Sequence, residues 1–329
     1  MARSSIPVID VSPFFGGIEA DKDAVGRRVA DAFQSVGFMA VTGHGVPQET
    51  IDDALLVSRA FFDLPVEAKS AAVNRDKASR TNRGYISFGS ESFDPTAKGR
   101  VEPDLKEGFV IGRVDVPQQV RTKPHANWAF ASNLWPERPA DLRPALETCY
   151  AAMEGLGHRL LRVFARALEV PDDFFQPYFD EHAFVFRTQH YFHQDAEPAD
   201  GQLRGGAHCD YGAMAILAAD DAPGGLQVLS RRQEWIDVVP ERGSLVVNIG
   251  DLMKIWTNDR WISNLHRVVN PPRVPGRDNS RQSLTLFVNA NYDALIVCIP
   301  TCQGPGNPPR HTPLLAGEHR MKKLQEIAG

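Results

Sequence analysis

The stretch His208-Cys209-Asp210, taken with the distant His266, decides how this chain is read. In an extended strand the side chains at i and i+2 point to one face, so His208 and Asp210 can reach the same ion while Cys209 turns away. Two imidazoles and one carboxylate can hold iron(II) on one side and leave positions open on the other. The third ligand must come from elsewhere in the fold, and His266 lies 56 residues beyond Asp210. The intervening text is strand-like. Ala213-Met214-Ala215-Ile216-Leu217, Leu226-Gln227-Val228-Leu229 and Ser244-Leu245-Val246-Val247-Asn248-Ile249 are apolar runs, punctuated by turns at Gly224-Gly225 and Glu241-Arg242-Gly243. A β-meander of such strands can return His266 over the first two ligands.

Fifteen residues after His266, Arg281-Gln282-Ser283 opens the strand Ser283-Leu284-Thr285-Leu286-Phe287-Val288-Asn289. Arg281 and Ser283 again share a face. A planar guanidinium beside a hydroxyl is a good receptor for a carboxylate, because the fork binds both oxygens. The chain thus offers a metal triad and a carboxylate clamp on strands.

These residues sit in an ordered series that resembles the isopenicillin N synthase-like iron(II)/2-oxoglutarate-dependent dioxygenases over nearly the whole chain. Ile6-Pro7-Val8-Ile9-Asp10 resembles that family's opening strand, and Gly37-Phe38-Met39-Ala40-Val41-Thr42-Gly43-His44-Gly45-Val46-Pro47 its following segment. Gly224-Gly225-Leu226-Gln227-Val228, Trp235-Ile236-Asp237-Val238, Val247-Asn248-Ile249-Gly250-Asp251 and Ser263-Asn264-Leu265-His266-Arg267-Val268 follow in the family's order. The resemblance implies that His208, Asp210 and His266 are the metal and catalytic residues. It implies that 2-oxoglutarate chelates the iron(II) and is held by Arg281, Ser283 and Tyr191. Tyr191 falls on the second tyrosine of the family's Asn-Tyr-Tyr-Pro-Pro-Cys-Pro pattern. This chain departs from that pattern at Gln189, His190 and Phe192-His193-Gln194. Gln189 and Arg187, on the same face as Tyr191, are secondary candidates.

Length, composition and charge bound the rest. With 329 residues the chain can bury a sizeable core. A net charge of −5 without a basic block argues against nucleic acid and anionic membrane surfaces as partners. Four cysteines, Cys149, Cys209, Cys298 and Cys302, are scattered without zinc-type pairs, which fits a reducing cytoplasm. No signal peptide is expected, and no apolar run approaches the roughly 20 residues of a membrane span. A small-molecule substrate and a monomer or weak homo-oligomer are expected.

Apolar spacing predicts helices over Asp23 to Ser35, Gln48 to Phe62, Pro139 to Leu168 and Leu314 to Ile327. His44 and His158 read as structural. Ser79 to Gly112 reads as an irregular loop; in the family such segments shape the substrate pocket, so Tyr85 and Phe109 are candidate substrate contacts, with Phe287 and Asn289 from the late strand. About eight short strands, closing with Asn289 and Ala294-Leu295-Ile296-Val297, predict an α+β fold: a double-stranded β-helix (jelly roll) with flanking helices and a mixed α/β N-terminal region. The expected division is residues 1–180 for that region, 181–300 for the catalytic core and 301–329 for a tail and helix over the barrel mouth.

The implied reaction is hydroxylation, desaturation or cyclisation at a C–H bond of a small organic substrate, with dioxygen consumed and succinate and CO2 released. Other readings stay open: relatives that dispense with 2-oxoglutarate, some using ascorbate as reductant; a zinc hydrolase holding the same three ligands; and a non-catalytic metal-binding jelly roll.

Overall fold

A computed structural model describes residues 6–73, 81–92, 102–222, 225–272 and 274–328. The strands in chain order are β1 (Val8–Asp10), β2 (Phe38–Thr42), β3 (Gly84–Ile86), β4 (Lys106–Gly112), β5 (Val185–Tyr191), β6 (Gly205–His208), β7 (Met214–Ala219), β8 (Leu226–Leu229), β9 (Trp235–Asp237), β10 (Leu245–Ile249), β11 (His266–Val268), β12 (Arg281–Val288), β13 (Leu295–Ile296) and β14 (Leu314–Leu315). They form an eight-stranded sheet ordered β1-β2-β10-β7-β12-β5-β4-β3, a four-stranded sheet ordered β6-β11-β8-β9, and a small β13-β14 pair. All pairings are antiparallel except β1 with β2. Two facing antiparallel sheets make the jelly roll, and the N-terminal strands β1 to β4 extend its larger sheet at both edges.

The period-2 alternation of strands separates the two faces of the large sheet. Met39, Val41, Leu245, Val247, Ile216, Leu284, Leu286, Val288, Phe186, Phe109 and Ile111 join one large apolar core with the helices. Their neighbours face the other sheet: Phe38, Ala40 and Val246 pack with Leu226 and Val228 of β8. The helix layer is built from amphipathic stretches. Helix Leu142–Ala167 buries Leu142, Leu146, Cys149, Met153, Leu156, Leu160 and Phe164 against helices Glu19–Ser35 and Gln48–Phe62 and against β12. These helices, and the terminal helix Ala316–Ala328, lie where apolar spacing places them, with ends differing by a few residues.

The expected loop at 79–112 is corrected in part. Residues 79–80 and 93–101 lie outside the described residues, but β3 and β4 are paired strands, Tyr85 opposite Phe109. Tyr85 and Phe109 belong to the helix-side core, 3% and 1% exposed, so they are packing residues turned away from the barrel interior. The Tyr85 hydroxyl donates to Glu107, which also receives Lys69 Nζ and faces His190 Nδ1 at 2.9 Å. His190 is thus a buried structural histidine, stacked on Phe62. His44 is structural as well: its Nδ1 accepts from the backbone N–H of Val46 and its Nε2 lies 3.1 Å from the carbonyl of Gly243.

The helix layer stabilises the sheet through close packing of side chains such as Leu160, which is fully buried. Leu160→Ala is expected to lower unfolding stability by about 2–5 kcal/mol without altering ligand binding, measured by denaturant titration.

Candidate active site

β6 and β11 pair with His208 opposite His266. This register brings one nitrogen of each histidine and one oxygen of Asp210 within 4.8 Å of one another. His208 Nε2 and His266 Nε2 lie 4.0 and 3.9 Å from Asp210 Oδ1, too far for hydrogen bonds and close enough for one ion to touch all three. The remaining atoms of the three side chains are engaged. His208 Nδ1 is 2.8 Å from the carbonyl of Gly206, and His266 Nδ1 is 3.1 Å from that of Asn264. Donation to those carbonyls leaves each Nε2 with a lone pair aimed at the centre, the usual arrangement around a bound metal. Asn248 on β10 donates to Asp210 Oδ2 at 2.6 Å and leaves Oδ1 for the same centre. Burial, then the neighbouring His266, pulls the His208 imidazole down to about 3, so it is a neutral ligand at ordinary pH. Cys209 turns its sulfur to the carbonyl of Ser263, outside the cluster, as alternation requires.

β12 and β5 build the wall beside this cluster. Their register sets Arg281 opposite Tyr191, Ser283 opposite Gln189, Thr285 opposite Arg187 and Phe287 opposite Val185. The Arg281 guanidinium lies over the Tyr191 ring at 5.1 Å, and Gln189 donates to the Tyr191 hydroxyl. Arg281 Nη1 and Ser283 Oγ are buried and have no hydrogen-bond partner among the described residues. Sequence reading missed a second guanidinium here, Arg204, just before β6 and outside any motif. It is fully buried, its Nε and Nη1 also lack partners, and burial followed by the charge of Arg281 pulls it down to about 10. Asp220 also acts on Arg281, but its oxygens already receive the backbone N–H groups of Ala222 and Gln282. Buried donors without partners are costly, about 1–3 kcal/mol each and more when charged. The group that satisfies these is an anion with several oxygens, and a dicarboxylate reaching from the three-ligand centre to Arg281 fits.

A cavity of about 140 Å³ opens beside His208 and Asp210, and Arg281, Ser283 and Tyr191 are not among the residues that line it. Phe287 and Asn289 line it as sequence reading expects, together with Arg187, Val185, Val110 and Tyr211. Sequence reading missed Arg83, Glu91, Trp128, Arg320 and Leu324, which also line it. Arg187 donates both terminal nitrogens to Glu91, and this pair holds the Glu91 carboxyl down at about 2 despite its burial. Gly108 makes room for Arg187: a Cβ there would sit 3.1 Å from its guanidinium.

Comparison with known proteins agrees with this geometry. Residues 6–138 match the family described as non-haem dioxygenase in morphine synthesis N-terminal, and residues 181–290 match the 2OG-Fe(II) oxygenase superfamily. The 2-oxoglutarate-Fe(II) type oxidoreductase hxnY of Emericella nidulans is 34% identical over 323 residues, covering 95% of this chain and 88% of that protein. The chain belongs to the 2OG-Fe(II) oxygenase superfamily. The homoarginine-6-hydroxylase 2-ODD-233 of Oryza sativa subsp. japonica is 30% identical to this oxygenase over 335 residues, covering 97% and 96% of the two chains. A full-length Neurospora crassa protein, solved in complex with alpha-KG, superposes on it with a TM-score of 0.85 at 28% identity, covering 98% and 96%. The same Neurospora crassa protein has been solved with alpha-KG and thymine. The oxygenase therefore uses iron(II), 2-oxoglutarate and dioxygen to oxidise a small organic substrate, with succinate and CO2 as co-products. Among the described residues no helix is long and apolar enough to cross a membrane.

Asn248 fixes which oxygen of Asp210 faces the centre. Asn248→Ala is expected to weaken iron(II) binding by roughly 10–100-fold while the fold persists, measured by anaerobic metal titration. Cys209→Ser is expected to leave metal affinity unchanged.

Proposed function

We propose that His208, Asp210 and His266 hold the iron(II), that Arg281 with Ser283 and Tyr191 receives the distal carboxylate of 2-oxoglutarate, and that the cavity beside Phe287 and Asn289 takes the substrate. The observation that carries this reading is the pair of buried donors, Arg281 Nη1 and Ser283 Oγ, without partners among the described residues, on the strand face beside the three-ligand cluster. When bound, the iron supplies the activation of dioxygen that breaks a C–H bond.

The chain's residues then have separable tasks. The two imidazoles and Asp210 occupy one side of the ion and leave room for the cosubstrate opposite. Arg281 and Ser283 fix the far end of 2-oxoglutarate, and Arg204 adds positive potential beside it. Tyr191 supports the guanidinium from below. On the cavity side, Phe287 and Val185 offer an apolar wall, while Asn289 offers a polar edge for orienting a substrate. A cavity close to the roughly 150 Å³ that admits benzene points to a substrate portion about one ring in size.

We also propose that the functional division of the chain lies near residues 180 and 300. Both ligand sets fall between them, while the earlier and later parts add cavity walls through Arg83, Trp128 and Arg320. Four free cysteines support a reducing, cytoplasmic setting.

The test is anaerobic addition of iron(II) and then 2-oxoglutarate, followed by visible absorption. A weak charge-transfer band is expected for the wild type and its absence for His208→Ala. Arg281→Ala is expected to keep iron(II) affinity and to raise the 2-oxoglutarate dissociation constant roughly 10–100-fold, the loss of a charged hydrogen bond worth about 1.5–3 kcal/mol. Unchanged 2-oxoglutarate affinity in that variant would remove the clamp assignment.

A further inference from the structure

Two arginines, Arg83 and Arg320, line the substrate cavity and have no salt bridge to a carboxylate among the described residues. Arg83, just before β3, is 3% exposed. Among the described residues its Nη1 and Nη2 donate only to backbone carbonyls, those of Asn82 and Ala129, and its Nε has no partner. Gly112 gives it passage: a Cβ there would come within 2.3 Å of Arg83 Nη2. Arg320, on the terminal helix, comes from the opposite end of the chain. Its guanidinium lies 5.1 Å from the Trp128 ring, a contact that positions a cation without neutralising it. Both arginines line the same cavity as His208 and Asp210.

Glu91 lines the cavity too, but Arg187 holds it through two hydrogen bonds and Lys106 lies 3.8 Å away. Asp210 belongs to the three-ligand centre. Neither arginine has a salt bridge among the described residues. Burial, and then the charge of Arg83, pulls Arg320 down to about 9; burial pulls Arg83 to about 10. Each remains charged at neutral pH, so two like charges line one cavity, an arrangement that an anion between them would relieve. Phe287, Val185, Val110 and Leu324 give the cavity an apolar stretch of wall, beside the polar Asn82, Tyr211 and Asn289.

We propose that Arg83 and Arg320 form the binding subsite for a carboxylate on the primary substrate, so that this oxygenase acts on a small organic acid of about single-ring size. The carboxylate sits between the guanidiniums at the end closed by the terminal helix. The apolar body lies along Phe287 and Val185 and presents a C–H bond toward the side of His208 and Asp210. This inference rests on the placement of iron and 2-oxoglutarate argued above, and Arg83 and Arg320 are specificity residues that take no part in holding either.

The test uses the full chain loaded anaerobically with iron(II) and saturating 2-oxoglutarate, which occupies the Arg281 clamp. Benzoate, phenylacetate and cyclohexanecarboxylate are titrated by calorimetry, each beside its uncharged amide. At least one acid is expected to bind ten-fold or more tightly than its amide. Arg320→Gln and Arg83→Gln are each expected to reduce that acid's affinity at least ten-fold and leave 2-oxoglutarate affinity unchanged. Arg320→Lys is expected to restore part of it. Thermal unfolding identifies any variant that fails to fold; Arg320, on the terminal helix and less buried than Arg83, keeps the test decisive if Arg83→Gln does. Equal affinity for acids and amides, no binding of any acid, or undiminished acid binding in a folded Arg320→Gln protein would overturn the subsite. Loss of 2-oxoglutarate binding in the wild type would instead refute the placement on which it rests.

Discussion

The strict alternation of side chains along β4, β5 and β12 is the constraint on which the rest of the structure depends. Adjacent residues on these strands serve two different solvents. Phe109, Phe186, Leu284 and Leu286 close the apolar layer under the helices. Val110, Arg187, Arg281, Ser283 and Phe287 sit between them in sequence and serve the site. A one-residue slip in register would send the clamp arginine into the helix core and leucines into the barrel. The many apolar contacts on one face therefore fix the polar geometry on the other. The antiparallel pairing of β6 with β11 completes the arrangement by setting His208 opposite His266.

Charge balance follows from that geometry. The three-ligand centre has one carboxylate and two imidazoles, so a divalent cation held there would keep a net positive charge. Arg281 and Arg204 carry buried nitrogens that nothing among the described residues satisfies. Arg83 and Arg320 line the cavity that also touches His208 and Asp210. The protein is acidic as a whole, with a net charge of −5, yet its interior around the site is positive. That contrast is the physical signature of a site built to receive two acids, the cosubstrate on one side and an anionic substrate on the other.

Much of this was legible in the sequence, because its signal is periodic or local. His208 and Asp210 two apart, Arg281 and Ser283 two apart, and the helical stripe from Leu142 to Phe164 all carry their meaning within one element. Tyr85 and Phe109 were misread because β4, Lys106 to Gly112, does not look like a strand. It opens on two charged residues, Lys106 and Glu107, and holds two glycines. Those charges are tolerated in the sheet through partners that mostly lie far away in sequence: Glu91, beside the nearby Asp104, for Lys106, and Lys69, Tyr85 and His190 for Glu107. With the strand unseen, its inside and outside could not be told apart. Arg204, Glu91, Trp128 and Arg320 belong to no motif and meet only through tertiary contacts. Asn248 stood inside a quoted motif, but its bond to Asp210 depends on the β10-β7 pairing that sequence does not specify.

The most direct measurement is anomalous diffraction at the iron edge from crystals grown anaerobically with iron(II) and 2-oxoglutarate. The expected result is a single strong peak between His208 Nε2, Asp210 Oδ1 and His266 Nε2, with the distal carboxylate of 2-oxoglutarate on Arg281 and Ser283. A metal found elsewhere, a fourth protein ligand closing the centre, or 2-oxoglutarate seated on Arg83 and Arg320 would contradict it.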